Sequence, residues 1–253
     1  MYTNTVENIA VAVGIDRFLI TLYARYLVKE IPVEVADTRA TFKISGYPEF
    51  IRFQSLMDER HVAEHLIEQL SKDDVFYDIG ANVGLYTCLV ANMLPPEQIL
   101  AAEPHPENVR RLRENLQHNN SSATICEAAI GAESGVAELE LHGNQAGEGK
   151  HALAGADAEE TIRIDVVTAD ELSELITPPT VIKIDVEGAE ALVLQGLEPL
   201  LADCRPVYCE IHPEDIQRYD SAINEIYELM ESYGFQAHQL MERDEQPFIL
   251  FKR

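Results

Sequence analysis

The feature that most restricts the fold of this chain is a regular alternation of short apolar runs and longer amphipathic segments that begins at Asp74. The runs VFYDI, QILAAE and ATICEAAI are separated by VGLYTCLVANML and PENVRRLRENLQHN, whose apolar spacing predicts helices. This β-α-β-α-β order implies a parallel sheet covered by helices, with right-handed crossovers. The alternation resumes with TVIKID, EGAEALVLQGLEPLL and PVYCEIH, and it ends in a helix near 214–233 and strands near 235–240 and 247–252.

The pattern divides the chain into an N-terminal extension, residues 1–73, and an α/β domain, residues 74–253. Within the extension, residues 9–28 are apolar at helical spacing but carry Asp16, Arg17 and Arg25. Three charges make a membrane span costly, so we expect an amphipathic helix packed on the domain or on a neighbouring subunit of a homo-oligomer. A helix lying on a membrane surface, as a peripheral contact, is the alternative.

Three further segments are interpreted from local patterns. Thr38 to Gln54 contains two strand-like runs around Gly46 and Pro48, which predicts a hairpin, and a helix should follow from Asp58 to Leu70. Residues 143–160 are rich in Gly, Ala and Glu without periodicity, so we expect a loop there, between the strand-like runs VAELELHG and TIRIDVVTA.

The charge balance bears on partners and location. The chain has 44 acidic and 19 basic residues, a formal net charge of −25, which argues against nucleic acid as a partner because phosphate binding draws on basic patches. The acids are dispersed, which indicates adaptation to high salt, with an ordinary acidic cytosolic protein as the alternative. The four cysteines form no C-x-x-C pair and no secretory signal pattern is visible, so we expect no zinc site, no disulfides and a cytoplasmic location.

The first strand of the α/β domain ends in a glycine turn. Asp78 precedes Gly80 and Gly84, and the turn runs directly into a helix. Glycine permits positive φ and close backbone approach, and the helix start offers unpaired N–H groups to an anionic group. Glu103 ends the second strand 19 residues after Gly84, where an acid can accept hydrogen bonds from the hydroxyls of a ribose. The turn and the acid together predict an adenosine ligand.

The glycine spacing distinguishes between adenosine cofactors. The two glycines are four residues apart, unlike the G-x-G-x-x-G pattern typical of NAD sites, which favours S-adenosylmethionine. We expect its methionine portion to lie along Gly80–Gly84, including Asn82, with Asp78 fixing the loop or reaching the amino group through water. Glu127 and Ala128, at the end of the third strand, would lie beside the adenine.

The catalytic candidates follow the fourth and fifth core strands. Lys183 and Asp185 share a face by strand alternation, and Asp185 emerges at the carboxyl edge, where ligands bind in open α/β sheets. A structural ion pair is the alternative, with Glu187 or Glu190 serving as helix N-terminal charges. A buried Lys183 needs a partner, for which Asp185 and Glu210 are the candidates.

The fifth strand ends in Glu210 and His212. We expect His212 to act as the general base, oriented by Glu210, with Asp185 holding an acceptor hydroxyl or the cofactor amine. A cap on the turn before Pro213 is the alternative role for His212. A competing arrangement has Asp185 and Glu210 binding a divalent cation; the metal-free form is favoured because two carboxylates alone leave most of the six positions of magnesium unfilled.

Four segments resemble the FkbM family of S-adenosylmethionine-dependent methyltransferases: DIGANVGLYT at 78–87, AAEPHPENVRRLRENL at 101–116, VIKIDVEGAEALVLQGL at 181–197 and YCEIH at 208–212. The resemblance implies the class I methyltransferase fold, a Rossmann-like sheet of seven strands with helices on both faces. It also implies O-methylation of a small molecule or of a sugar, free or linked to a glycan or lipid, with S-adenosylhomocysteine as product. The first 73 residues lie outside it and would shape the acceptor pocket or an oligomer contact.

Two other functions are compatible with parts of the sequence. A non-catalytic S-adenosylmethionine sensor or assembly subunit would keep Gly80, Gly84 and Glu103 but would not need Asp185 or His212, and this chain has both. A nucleotide-dependent oxidoreductase would use the same sheet with tighter glycine spacing, and binding of NAD would identify it.

Overall fold

A computed structural model describes the chain at residues 29–44, 47–141, 152–153, 160–219, 221–243 and 245–253. The helix expected at 9–28 lies outside these residues, as does most of the loop expected at 143–160. Strands and α-helices are numbered here in chain order.

The elements are β1 Glu30–Val35, β2 Thr38–Lys43, α1 Tyr47–Gln69, β3 Phe76–Ile79, α2 Leu85–Val90, β4 Ile99–Ala102, α3 Pro106–His118, β5 Thr124–Cys126, β6 Ala128–Ile130, β7 Gly135–Glu140, β8 Ala152–Leu153, β9 Thr161–Val167, α4 Ala169–Leu175, β10 Val181–Ile184, α5 Glu190–Gly196, β11 Pro206–Glu210, α6 Ile223–Ser232, β12 Gln236–Arg243 and β13 Gln246–Lys252. Short 3-10 helices lie at Pro96–Gln98, Glu198–Asp203 and Ile216–Tyr219.

The central sheet has seven strands in the order β12-β13-β11-β10-β3-β4-β5. Strands β11, β10, β3, β4 and β5 run parallel, and β13 is antiparallel to both of its neighbours. This confirms the mostly parallel α/β sheet expected from the sequence. The strand order reverses at β3, which lies between β10 and β4, and ligands bind beside such a reversal at the carboxyl ends of the strands.

Apolar packing covers both faces of the sheet. Neighbouring residues of β3 belong to different core clusters, Phe76 to one and Tyr77 to the other, because successive side chains of a strand point to opposite faces. Every residue of β3, β10 and β11 is buried, as expected of parallel strands with helices on both sides.

A second sheet of four strands, in the order β6-β9-β7-β8, lies beside the central one. The run ATICEAAI, expected to be a single strand, divides between the two sheets: β5 pairs with β4, whereas β6 pairs with β9. The division falls at Glu127, between the two strands. The pairing of β6 with a strand more than thirty residues later is not encoded in the local pattern.

The hairpin of the extension is displaced from its expected position. The structure pairs β1 with β2, Glu30–Val35 with Thr38–Lys43, and the second run expected to be a strand belongs to α1, which begins at Tyr47 instead of Asp58. Pro48 lies in the first turn of α1, where its missing N–H has no helical partner to lose. The prediction of a hairpin across Pro48 was therefore wrong.

Asn115 of α3 and Asn119, which caps the end of this helix, bind the hairpin to the α/β domain. Asn119 accepts a hydrogen bond from the N–H of Thr41 at 2.7 Å and donates one to its carbonyl oxygen at 2.8 Å. Asn115 accepts from the N–H of Lys43 at 3.1 Å and donates to the carbonyl oxygen of Val83, inside the glycine turn, at 2.9 Å. The hairpin and the glycine turn are therefore held by the same helix.

The four cysteines are buried and free, which agrees with the expectation of no disulfides. Across the part of the chain that the structure describes, no helix combines the length and apolar character required to cross a membrane.

Candidate active site

A cavity of about 1040 Å³, open to solvent, lies at the carboxyl ends of β3, β4 and β10. Sequence reasoning placed the ligand at this edge. The lining joins polar residues that follow these strands to apolar residues of the second sheet and of α5, and it includes Gly80, Asn82, Glu103, Asn108, Ala128, Ala129, Leu139, Val166, Asp185, Glu187, Leu192 and Val193. Polar groups on one side and apolar surface on the other suit a ligand with a charged part and a planar ring.

The two glycines of the turn are required by packing inside the protein itself. Gly80 has φ +74°, and a Cβ there would lie 1.8 Å from the carbonyl oxygen of Asp185 on the neighbouring strand. Gly84 has φ +87°, and its Cβ would lie 2.2 Å from Cδ1 of Leu112 on α3. Both glycines adopt the positive φ expected from the sequence, and the contacts between elements exclude a Cβ at these positions in addition to any approach by a ligand.

Asp78 fixes the glycine turn to the helix that follows it. Its Oδ2 accepts hydrogen bonds from the N–H and the hydroxyl of Thr87, at 3.1 and 2.6 Å. Its Oδ1 lies 3.3 Å from the Nζ of Lys183. Of the two roles expected for Asp78, the structure shows the fixing of the loop.

Glu103 binds the glycine turn to the segment that follows β4. Its Oε2 accepts from the N–H of Asn82 at 2.8 Å, and its Oε1 accepts from the N–H of His105 at 2.9 Å and from Nδ2 of Asn108 at 3.3 Å. Burial raises the pKa of Glu103, and these hydrogen bonds oppose the rise. A carboxylate offers about four lone-pair positions, so one position, on Oε2, stays open toward a ligand.

Asn82 and Glu187 both adopt left-handed backbone conformations at the cavity wall, with φ of 51° and 50°. Asparagine tolerates this region through its short polar side chain, whereas for glutamate it costs about 1 kcal/mol or more. Gly188 continues the turn with φ +99°, and a Cβ there would lie 2.7 Å from Cβ of Asp215. The turn after β10 is therefore tightly constrained.

The two residues expected beside the adenine separate in the structure. Ala128 lines the cavity, but Glu127 is not among the lining residues. The side chain of Glu127 is 53% exposed and pairs with Arg113, which lowers its pKa. Because β5 and β6 enter different sheets on either side of Glu127, its carboxylate points to solvent and to α3.

Lys183 is buried among acids and backbone oxygens. Its Nζ lies 3.3 Å from Asp78 Oδ1 and 3.6 Å from Asp185 Oδ2, and it donates a hydrogen bond to the carbonyl oxygen of Gly80 at 3.2 Å. The ammonium also lies 5.3 Å from the centroid of the Tyr86 ring. Asp185 and Glu210 were the expected partners; the structure shows Asp185 near the ammonium and adds Asp78, so Lys183 ties the glycine turn to the end of β10.

His212 is held by a different acid from the expected one. Its Nδ1 lies 2.7 Å from Oε1 of the fully buried Glu190, which also accepts the N–H of Gly188 at 2.8 Å. Its Nε2 faces Glu187 Oε2 at 3.5 Å and Asp185 Oδ1 at 4.0 Å. Burial lowers the pKa of His212, but the hydrogen bond that its ring donates to Glu190 and the negative charges of Glu190, Glu187 and Asp185 outweigh burial and raise the pKa to about 10.

These contacts correct the expectation that Glu210 orients His212. Glu210 Oε1 lies 3.2 Å from Nη2 of Arg243, whose Nη1 lies 2.6 Å from Oε1 of Glu59. Arg243 comes from β12 and Glu59 from α1, and the sequence analysis identified neither. The sequence does mark Glu190 as unusual, because this glutamate stands between apolar residues in the first turn of α5. Its burial against His212 could be recognised only from the packing of α5 in the folded structure.

Asp185, Glu187 and His212 also form a group that could hold a metal ion, with one potential ligand atom from each residue and all of these atoms within 4.8 Å of one another. The competing arrangement considered from sequence paired Asp185 with Glu210. The structure brings Glu187 and His212 to Asp185 in place of Glu210.

Comparison with known proteins relates this chain to methyltransferases. The sequence model of the family described as "Methyltransferase FkbM domain" matches residues 78–237. A protein named hexuronic acid methyltransferase AglP, from Haloferax volcanii, is 30% identical over 192 residues, which cover 73% of this chain and 77% of the relative. A protein named 31-O-demethyl-FK506 methyltransferase FkbM, from Streptomyces tacrolimicus, is 27% identical over 224 residues, with 76% and 83% covered.

Among solved structures, methyltransferase FkbM from Methylobacillus flagellatus superposes with a TM-score of 0.50 at 16% identity. The match covers 75% of this chain and 46% of that one, and at this identity it supports the fold alone.

Proposed function

The chain belongs to the FkbM methyltransferase family, and from that premise we propose that it transfers a methyl group from S-adenosylmethionine to a hydroxyl oxygen of a sugar. The observation that carries this proposal is the single cavity wall on which the glycine turn, Glu103 and Asp185 meet. The turn and Glu103 supply the groups that an adenosine-containing cation needs, and Asp185 places a carboxylate where an acceptor would approach it.

The described residues fit S-adenosylmethionine in three places. One open lone-pair position on Glu103 Oε2 is available to a ribose hydroxyl, beside the N–H of Asn82. Ala128, Leu192 and Val193 offer apolar surface for the adenine ring. The methionine portion would lie along Gly80–Gly84. When bound, this cofactor supplies an electrophilic methyl group on a positively charged sulfur.

Asp185 is the residue that we propose touches the acceptor hydroxyl. A lone pair of that oxygen forms the new O–C bond while the electron pair of the C–S bond remains on sulfur, which leaves a neutral thioether. The oxygen becomes strongly acidic as the bond forms, so a carboxylate within hydrogen-bond reach can take the hydroxyl proton despite its weak basicity. Asp185 lines the cavity and meets this requirement.

The general base expected from sequence, His212, is less suited to that task. A pKa raised to about 10 keeps the imidazole protonated near neutral pH, and a protonated ring donates a hydrogen bond but accepts no proton. We propose that His212 positions Asp185 and Glu187, with Glu190 fixing its ring.

A sugar suits this site because it presents several hydroxyl donors, whereas Asp185 and Glu187 present acceptors at the cavity wall. The relative named hexuronic acid methyltransferase supports a sugar acceptor, and the second relative, by its name, is also a methyltransferase. The proposal covers a free sugar and a sugar carried by a glycan or a lipid.

The test is a methylation assay on a panel of hexoses, hexuronic acids and sugar nucleotides, with S-adenosylhomocysteine release and the acceptor mass both measured. We expect a mass gain of one methylene unit on a sugar hydroxyl. Asp185→Asn should lower turnover at least about 100-fold, the lower end of what one proton-transfer group contributes. Glu231→Gln, at an exposed position of α6, is the matched control and should leave turnover unchanged.

Two results would count against the proposal. Binding of S-adenosylmethionine without transfer to any acceptor class would favour the sensor, and methylation on nitrogen or carbon would move the chemistry away from a hydroxyl. Turnover that is the same in Asp185→Asn as in Glu231→Gln would remove Asp185 from the reaction.

A further inference from the structure

Three side chains from three different positions converge at one point of the cavity wall. Asp185 follows β10, Glu187 lies two residues later in the constrained turn, and His212 follows β11. Nε2 of His212 lies 3.5 Å from one oxygen of Glu187 and 4.0 Å from one oxygen of Asp185. Two carboxylate oxygens and an imidazole nitrogen thus face a common space.

The separations match those of atoms around a small cation. Two ligand atoms at adjacent octahedral positions around Mg²⁺ lie about 3.0 Å apart, and two opposite ones lie about 4.2 Å apart, for bonds of about 2.1 Å. Distances of 3.5 and 4.0 Å fall between these limits, too long for direct hydrogen bonds of ordinary strength. The three potential ligand atoms all lie within 4.8 Å of one another, so modest movements of these side chains would let one ion contact all three groups.

The orientation of His212 is an independent observation. Its side chain is only 3% exposed, and its Nδ1 is engaged by Glu190 at 2.7 Å, so Nε2 is the atom aimed at Asp185 and Glu187. A carboxylate on the far nitrogen of a histidine fixes the ring and its tautomer, and metal-ligating histidines almost always have such a partner. Glu190 is itself fixed by the N–H of Gly188 at 2.8 Å, so the support extends beyond the ligands.

We propose that Asp185, Glu187 and His212 bind one divalent cation of the Mg²⁺ or Mn²⁺ class, whose remaining positions take water and hydroxyls of the acceptor. Binding of the cation would displace the proton that Nε2 of His212 carries in its absence, because an imidazole nitrogen ligates a metal only when it is deprotonated. Hard carboxylate oxygens select this class, and a single imidazole is acceptable to Mn²⁺. Asp185 and Glu187 line the cavity, so the open positions of the ion would face the acceptor. This role in binding the acceptor rests on the proposed function, whereas the existence of the cation site does not.

The cation would add to the reaction by acidifying the acceptor. A hydroxyl bound to a divalent ion would lose its proton more readily, and the oxygen of Asp185 that does not contact the cation would accept that proton. The three protein ligands would leave three positions of an octahedron open, enough to hold two neighbouring hydroxyls of a sugar ring and one water.

The first experiment measures Mn²⁺ binding to the full chain by electron paramagnetic resonance after removal of metals with a chelator. About 1 M KCl in the buffer shortens the Debye length to about 3 Å and suppresses loose binding to the acidic surface. We expect one tightly bound Mn²⁺, at least tenfold weaker binding in Glu187→Gln, and unchanged binding in Glu231→Gln. Equal affinity in the two variants would overturn the proposal.

The second experiment reads the ligand set directly. Pulsed electron paramagnetic resonance detects the nitrogen nucleus of an imidazole bound to Mn²⁺, and this coupling should be present in the unaltered chain and absent in His212→Gln. Bound Mn²⁺ without nitrogen coupling would exclude His212 as a ligand and would overturn the site as proposed. If His212→Gln does not fold, Glu187→Gln and the coupling in the unaltered chain still decide the question.

A third measurement separates this proposal from the function on which it partly rests. Calorimetry of S-adenosylhomocysteine binding in the presence of chelator tests the cofactor site alone. Cofactor binding and methylation that persist in chelator, without a specific Mn²⁺ site, would remove the cation and leave the methyltransferase. A specific Mn²⁺ site in a chain that binds no S-adenosylhomocysteine would keep the cation and refute the cofactor.

Discussion

Replacing Glu103 with alanine should weaken binding of S-adenosylhomocysteine by an amount that the structure sets. Three of the about four lone-pair positions of Glu103 are used by Asn82, His105 and Asn108, which leaves one position on Oε2 for a ribose hydroxyl. A hydrogen bond to a charged group contributes about 1.5–3 kcal/mol. At about 1.4 kcal/mol per factor of ten, the expected loss of affinity is about 10- to 150-fold.

Calorimetry of this variant alone would not separate the ribose contact from the structural role of Glu103. Its removal also leaves the buried N–H groups of Asn82 and His105 without their acceptor, at about 1–3 kcal/mol each in stability, and it loosens the wall of the cavity. The variant should therefore unfold at lower temperature, and binding must be measured well below that transition.

A cycle of two proteins and two ligands isolates the contact. The second ligand is the analogue of S-adenosylhomocysteine that lacks both ribose hydroxyls. If Glu103 binds the ribose, the analogue binds the unaltered chain more weakly, and Glu103→Ala weakens the binding of the analogue by about 1.5–3 kcal/mol less than the binding of S-adenosylhomocysteine. Additive losses within about 0.5 kcal/mol would refute the ribose contact and leave Glu103 as a structural acid.

Glu127→Ala is the matched control, because both glutamates follow the ends of adjacent strands and only Glu103 lines the cavity. Its carboxylate is exposed and pairs with Arg113, so we expect binding of S-adenosylhomocysteine to change by less than about 0.5 kcal/mol. A loss as large as that of Glu103→Ala would restore the adenine contact expected from sequence.

Three further predictions concern stability. Gly80→Ala should lower the free energy of unfolding, measured by urea titration, by more than about 2 kcal/mol, because the positive φ and the carbonyl oxygen of Asp185 both oppose a Cβ at this position. Gly135→Ala is the control: no atom lies within 4 Å of a Cβ there, so its free energy of unfolding should change by less than about 0.5 kcal/mol. Burial raises the pKa of Asp74, but its hydrogen bonds, led by the one from Arg205, outweigh burial and lower the pKa, so the stabilisation by Asp74 is present above the unfolded pKa and is lost as pH falls below about 4. The difference in thermal stability between the unaltered chain and Asp74→Asn should therefore shrink as pH falls through that range. A difference that does not change with pH would show that the pairing is absent. The melting temperature should rise between about 0.1 and 1 M KCl as screening relieves the repulsion among the acids, and a flat or falling curve would contradict adaptation to salt.

The sequence predicted the α/β domain well because the decisive interactions are local. Each buried strand is a short apolar run, each helix has apolar spacing, and right-handed crossovers then determine which edge collects the strand ends. Asp78 lies at the end of β3, Gly80, Glu103 and Asp185 each follow a strand directly, and all four occur at the expected edge. Their partners could be anticipated only where they stand a few residues away in sequence, as with Lys183 and Asp185.

Errors arose where pairing over long sequence distances overrides local pattern. The run across Pro48 has strand-like composition, yet it lies in α1, and the hairpin forms from β1 and β2 instead. Glu127 reads as a strand end, yet its direction depends on β6 joining β9 in another sheet. Composition cannot show which of two sheets a strand will enter.

The acids around His212 show why residue roles are harder to predict than residue positions. Alternation places residues two apart on the same face, so Glu210 was expected to orient His212, but β11 ends at Glu210 and alternation does not extend past the strand. Beyond that end the chain turns, and the first turn of α5 brings Glu190 to the ring, whereas Glu210 meets Arg243 from β12. Glu190 lies on a helix and Arg243 on a strand, and the local sequence does not show where either element packs against the central sheet. Glu190 turns Nε2 of His212 toward Asp185 and Glu187, the geometry from which the cation site was inferred.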